Sequence, residues 1–193
     1  MITVRHERST DIAARERVLD TAYGPARFAK TSERLRENRL PAERLALVAV
    51  ERGCVVGTVR LWNVAIGSGH TALLLGPLAV ACGAQNRGVG RKLMTRALRE
   101  ARRLGHEIVL LVGDQNYYGR FGFSAASTGK LRLPGPYEPA RLLGLELAAR
   151  ALDGAAGVIR AAGDRVPRHL PDFIVAPAYA RPAVTPSDTA RAA

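Results

Sequence analysis

The chain has 193 residues, 47% of them hydrophobic and 24% charged, a size and balance that suit one globular domain with a tail and a core that needs no staples. Its 29 Lys and Arg outnumber its 17 Asp and Glu, and a formal charge of +12 attracts polyanions. The basic residues run from Arg5 to Arg191 without a dense block and without interleaved aromatics, which argues against a base-stacking nucleic-acid platform.

The first residues, Met1 to Glu7, carry charges where a secretory leader needs an apolar run. Ile2–Val4 reads as a short strand. Thr10 and Asp11 open a helix over Ile12–Ala22, and Gly24-Pro25 ends it. A second short helix, Ser32–Asn38, stops before Pro41. The apolar run Leu45–Val50 and the alternating run Cys54–Trp62 are two strands joined by a hairpin turn at Glu51-Arg52-Gly53. Thr71–Leu75 and Leu78–Val80 form a third run, interrupted at Gly76-Pro77. Proline cannot donate to a sheet ladder, so the strand must bulge or end there.

Leu61 to Asn86 lacks formal charge, but Gly67, Gly69, Gly76, Pro77 and Gly83 break it short of the roughly 20 continuous apolar residues a membrane helix needs. A soluble, cytoplasmic protein is expected. Cys54 and Cys82 lie in apolar, strand-like stretches and read as buried thiols, with no second Cys or His at metal-ligand spacing.

Gly90–Leu104 carries the clearest helical period. Leu93, Ala97, Ala101 and Leu104 make one stripe, with Arg91, Arg96, Arg99, Arg102 and Arg103 opposite, and Gly105 stops the helix. Ile108–Val112 follows as a buried strand, so the strand–loop–helix–strand unit predicts parallel pairing through a crossover. Phe121–Ala125 and Leu142–Ala149 are further strand candidates. Residues 1–160 are read as the domain and 161–193 as an Ala/Pro/Arg-rich extension, poorly ordered from about Pro177. The expected order is β-α-α-β-β-β-α-β-α-β-β, an α+β fold with a central mixed sheet.

Between strand Leu78-Ala79-Val80 and the arginine-faced helix lies Gln85-Asn86-Arg87-Gly88-Val89-Gly90. Glycines let backbone approach a ligand, and a helix start adds unsatisfied amides and the positive end of its dipole. The segment therefore reads as a cradle for a pyrophosphate, with Arg87, Arg91 and Lys92 around it. It fails the P-loop pattern, which needs Gly-Lys followed by Ser or Thr. Leu93 stands where a dinucleotide fingerprint wants a small residue, although Asp114 partly imitates that fold's ribose-binding acid. A surface turn without a ligand is the plainer alternative.

Gln85, Gly88 and Gly90 resemble the Gln/Arg-x-x-Gly-x-Gly/Ala coenzyme A signature of the GNAT N-acetyltransferase superfamily. Tyr118-Gly119-Arg120-Phe121-Gly122-Phe123 is similar to that family's Tyr-x-x-x-Gly-Phe ending, and Gly76-Pro77-Leu78-Ala79-Val80 looks like its YhbS-like branch. The resemblance implies a single domain with a largely antiparallel mixed sheet, a splayed pair of parallel strands and flanking helices. It implies acetyl-coenzyme A as acyl donor, a primary amine attacking directly in a ternary complex, and no metal.

By position, Leu78, Ala79 and Val80 would hold the pantetheine arm. Gln85, Asn86, Arg87, Gly88, Val89, Gly90 and Arg91 would hold the pyrophosphate, and Tyr118 would act as general acid, with Tyr117 as its alternate. Asn86 replaces a common Gly, Cys82 a common Pro, and the helix before the tyrosine is short. Glu51, His70 and Asp114 stay open as general bases, and Tyr23 and Trp62 as acceptor-pocket residues. Expected partners are acetyl-coenzyme A and an unidentified amine, without membrane or nucleic acid, and with a homodimer allowed. The rival readings are a coenzyme A sensor without turnover and a basic nucleic-acid-binding protein.

Overall fold

A computed structural model of the chain describes residues 1–167, and the expected poorly ordered end from Pro177 lies outside them. In chain order the elements are β1 (Ile2–His6), α1 (Ile12–Tyr23), α2 (Thr31–Arg34), β2 (Ala46–Glu51), β3 (Cys54–Ala65), β4 (Thr71–Val80), α3 (Val89–Arg103), β5 (Ile108–Val112), α4 (Gln115–Tyr118), β6 (Leu131–Arg132), β7 (Leu142–Glu146), β8 (Gly157–Val158) and β9 (Arg160–Ala161). The main sheet has the order β1-β2-β3-β4-β5-β7, with β9 added to the end of β3. Its pairings are antiparallel except β4–β5, which α3 connects as a parallel crossover. β6 and β8 form a small parallel ribbon.

The central strands read as unbroken apolar runs because both faces are covered. Leu73 and Leu75 of β4, with Val109 and Leu111 of β5, pack against Leu93, Met94, Ala97 and Ala101 of α3. The alternate residues Ala72, Leu74, Ile108 and Leu110 join Leu35, Trp62, Leu131, Leu152 and Ile159 on the other face. α1 is less apolar, and its buried side includes ions. Arg15 pairs with Glu7 and Glu16, Arg60 pairs with Glu7, and Arg27 reaches Glu16 at 2.6 Å. These bonds fix α1 and the following turn, Pro25–Ala29, against β3 and β4 and so place Tyr23.

Several expectations need correction. Ser32–Asn38 closes as helix only over Thr31–Arg34, and turns follow until Asn38 at φ 55°. Phe121–Ala125 is not a strand. Gly119–Phe121 is a 3-10 turn, Gly122 takes φ 89°, and Ser124 makes a single bridge to Gly144, so Phe123 enters the core from irregular backbone. β7 stops at Glu146, whose carboxylate accepts from the Leu152 amide at 2.8 Å. Cys54 and Cys82 are exposed free thiols, one beside the Arg52-Gly53 turn and one in the turn Cys82–Ala84. Past residue 160 the chain stays bonded to the body, through Val64–Ala161 pairing and a 3.0 Å bond from the Val166 amide to Asn38 O.

Candidate active site

β4 and β5 pair only at Leu73–Val109 and Leu74–Leu110, and then diverge. The break has a local cause. Gly76 sits at φ 133°, Pro77 has no amide hydrogen, and the β3–β4 register slips between Val59 and Leu61, which makes Gly76-Pro77 a bulge in β4. Trp62 clamps it, its Nε1–H donating to Gly76 O at 2.6 Å. Trp62 is thus a buried support of the bulge rather than a pocket wall.

Beyond the bulge β4 pairs with β3 alone. The Ala81 amide donates to Val56 O at 2.9 Å, so by strand alternation Ala79 also faces β3, while Leu78 and Val80 turn their main-chain groups to the gap. Side chains reach them from that side: the Tyr23 hydroxyl donates to Leu78 O, and Gln85 Nε2 to Val80 O at 3.5 Å.

The gap opens a cleft of about 650 Å³. All ten residues expected to bind the donor line it except Arg87. The Arg87 guanidinium turns outward to Glu51, at 2.9 and 2.5 Å, so only its backbone stays with the loop. Asn86 and Gly88 take φ 58° and 76°, left-handed values that Asn tolerates better than most residues, which explains how Asn86 serves in place of a glycine. The Lys92 amide, bonded to Gly88 O at 3.0 Å, makes the first bond of α3. Among the described residues the amides of Asn86 to Arg91 make no well-formed hydrogen bond to a protein acceptor beyond weak turn contacts, so a row of donors borders the cleft at the positive end of a 15-residue helix.

α4 hangs from the end of β5, capped by Asp114, whose carboxylate accepts from the Asn116 amide at 2.9 Å. It delivers two tyrosines with different surroundings. The Tyr117 hydroxyl lies over the start of α3, so close that a Cβ on Gly90 would come within 2.6 Å of it. Tyr118 packs on Gly113, where a Cβ would lie 2.3 Å from its ring. Tyr118 also lines a second cavity of about 180 Å³ on the far side of the bulge, which Tyr117 does not reach. Burial pushes the Tyr118 phenol well above its ordinary range, and nearby Tyr23 and Tyr117 add to this while Arg141 opposes it. The hydroxyl therefore stays protonated at neutral pH.

The three base candidates separate cleanly. Glu51 is bonded to Arg87, which holds its carboxyl below the usual range and makes it a poor base. His70 is bonded to Ser68 Oγ at 2.8 Å, before the start of β4 and away from Val80. Of the three, Asp114 borders both cavities, which Tyr23, Leu78 and Tyr118 also line. Sequence reasoning missed Arg36, Lys30 and Arg141, which border the second cavity from the turn after α2, the loop before α2 and the turn before β7. No local pattern joins them, because only the fold brings positions 30, 36 and 141 together. Among the described residues no three His, Cys, Asp or Glu side chains group as a metal cluster, and no helix is long and apolar enough to cross a membrane.

Residues 13–123 match the Acetyltransferase (GNAT) family. Over 158 residues the chain is 29% identical to the uncharacterized N-acetyltransferase YhbS of Escherichia coli K12, covering 81% of this chain and 93% of that protein. The crystal structure of E. coli YhbS in complex with CoA superposes with a TM-score of 0.73 at 28% identity, over 83% of this chain and 89% of that one. A GNAT family acetyltransferase from Brucella melitensis in complex with acetyl-CoA gives a TM-score of 0.62 at 27% identity, over 84% and 96%. The splayed strands, the glycine loop that opens α3 and the matched span together make this chain a member of the GNAT acetyltransferase family.

Proposed function

We propose that the protein transfers the acetyl group of acetyl-coenzyme A to a primary amine by direct attack in a ternary complex, with residues 1–160 as the transferase domain. The observation that carries this reading is the pairing of a strand edge that no neighbouring strand covers with a row of amides at the start of α3, in one cleft. The main-chain groups of Leu78 and Val80 suit an extended amide-bearing arm, as an added strand would use them, once the Tyr23 and Gln85 side chains give up the two carbonyls. The amides from Asn86 to Arg91 suit a diphosphate, and Arg91 adds charge at the same end. The related structures from E. coli and B. melitensis hold CoA and acetyl-CoA.

Tyr118 stands between the two cavities, where thioester and amine would meet. In the transfer the amine nitrogen bonds to the acetyl carbon, the carbon–sulfur bond breaks with its electron pair on sulfur, and the nitrogen loses one proton. Tyr118 donates its hydroxyl hydrogen to the leaving sulfur and regains a proton from the nitrogen through solvent. No covalent enzyme intermediate is required. Tyr118→Phe is expected to lower kcat for thiol release by roughly 10²–10⁴-fold while leaving the KM for acetyl-coenzyme A nearly unchanged. Full activity in that variant would remove Tyr118 from the chemistry. Stabilisation by coenzyme A without thiol release across a broad amine panel would favour a sensor.

A further inference from the structure

The cavity beyond the bulge has a charge pattern that the donor cleft does not explain. Its wall holds Arg27, Lys30, Arg36 and Arg141 against the carboxylates of Glu33 and Asp114. Three of these six groups are matched inside the protein. Arg27 bonds to Glu16 and Asp20 at 2.6 and 2.9 Å, and Asp114 caps α4. Glu33 takes one end of Arg36 at 2.8 Å.

Three cationic groups keep capacity for an anion. Arg36 is buried, with 7% of its side chain accessible, and lies against the bulge, 3.6 Å from where a Cβ of Gly76 would stand. Its Nε has no partner although it is buried. An unpaired donor of that kind is costly unless a ligand satisfies it. The Arg141 guanidinium has no ion pair or hydrogen bond among the described residues, and its charge is felt at Tyr118. The Lys30 ammonium rests on the Tyr23 ring, 4.7 Å from its centroid, and among the described residues it has no carboxylate partner. Lys30 and Arg141 also line an outer cavity of about 400 Å³ that continues from the inner one, and Glu138 belongs to that outer part.

We infer that the acceptor is a small amine that also carries an anionic group, a carboxylate or a phosphate, held by Lys30, Arg36 and Arg141 with its amine turned toward Tyr118 and Leu78. This deepens the proposed transferase reading and rests on it for the direction of the amine. An inner volume of 180 Å³ suits a metabolite rather than a folded segment. A planar guanidinium suits two oxygens of an acid group. The same cations disfavour a charged amine beside them, so bound substrate is biased to the neutral, nucleophilic form.

The test reads binding and turnover separately. Equilibrium binding to the coenzyme A-loaded protein is measured for matched pairs. Serine and phenylalanine are compared with their carboxamides for the carboxylate arm, and O-phosphoethanolamine with ethanolamine for the phosphate arm. The acid member of at least one arm is expected to bind about 10- to 100-fold tighter, the size of a charge-assisted hydrogen-bond pair. Arg141→Gln and Lys30→Gln should each shrink that ratio, and Arg141→Lys should restore part of it, with coenzyme A binding as the folding control. Equal binding within every pair, or a preference that survives both Gln variants, would overturn the inference. A preference for the acid members without thiol release would instead leave this site standing and overturn the transferase reading.

Discussion

At the scale of single residues, the site depends on what surrounds Tyr118. Its ring is seated on Gly113 and buried beside two other phenols, so its neutral form is favoured and its pKa rises above the ordinary value of about 10. The sign of the effect fixes the pH profile. A group whose proton is held more tightly in the fold does not titrate away as pH rises toward its ordinary value, so the proposed acid would stay loaded. The proposed amine acceptor would lose its proton over the same interval. kcat/KM is therefore expected to rise with pH and level off, with no decline up to pH about 10. A falling limb below that point, present in the native protein and absent in Tyr118→Phe, would show that the phenol ionises normally.

At the scale of elements, two devices matter, the β4 bulge and the β4–α3 passage. Both were legible in the sequence because each rests on residues with hard backbone constraints. Pro77 had to leave the ladder, and Gly88 and Asn86 suit left-handed turns. The period of Leu93, Ala97 and Ala101 likewise announced α3. Phe121–Ala125 misled because the alternation of Phe121, Phe123 and Ala125 around Gly122 and Ser124 is compatible with either a strand or an irregular core insertion. The loop also offers a clean test. A Cβ on Gly88 meets nothing within 4 Å, so the first carbon of a side chain there clashes with no protein atom. Its φ of 76° costs a β-branched residue roughly 1–2 kcal/mol. Gly88→Val should thus fold with a modestly lowered Tm yet lose the Tm rise that coenzyme A is expected to give the native protein. A retained rise would move the diphosphate away from this turn.

At the scale of the whole molecule, the proposed donor cleft is lined, apart from Ala22 and Tyr23 of α1, by residues between Leu78 and Arg120, and so is largely visible in sequence. The proposed acceptor side is assembled from α1, α2, the bulge and the turn before β7, and no single stretch shows it. What ties α1 to the sheet is the buried cluster of Glu7, Arg15, Glu16, Arg27 and Arg60. Arg15 is 1% exposed and bonded to two glutamates, so Arg15→Ala leaves buried carboxylates without their partner. It should cost about 3–5 kcal/mol in a denaturant titration. A loss under about 1 kcal/mol would mean that the cluster contributes little, as exposed pairs do.

The central claim places a diphosphate on the amides of Asn86 to Arg91 and an extended arm along Leu78 and Val80. Amide hydrogen exchange, compared with and without saturating coenzyme A, reads those groups directly. Strong new protection confined to these two segments is the expected result, whereas unchanged exchange across both with coenzyme A bound would contradict it.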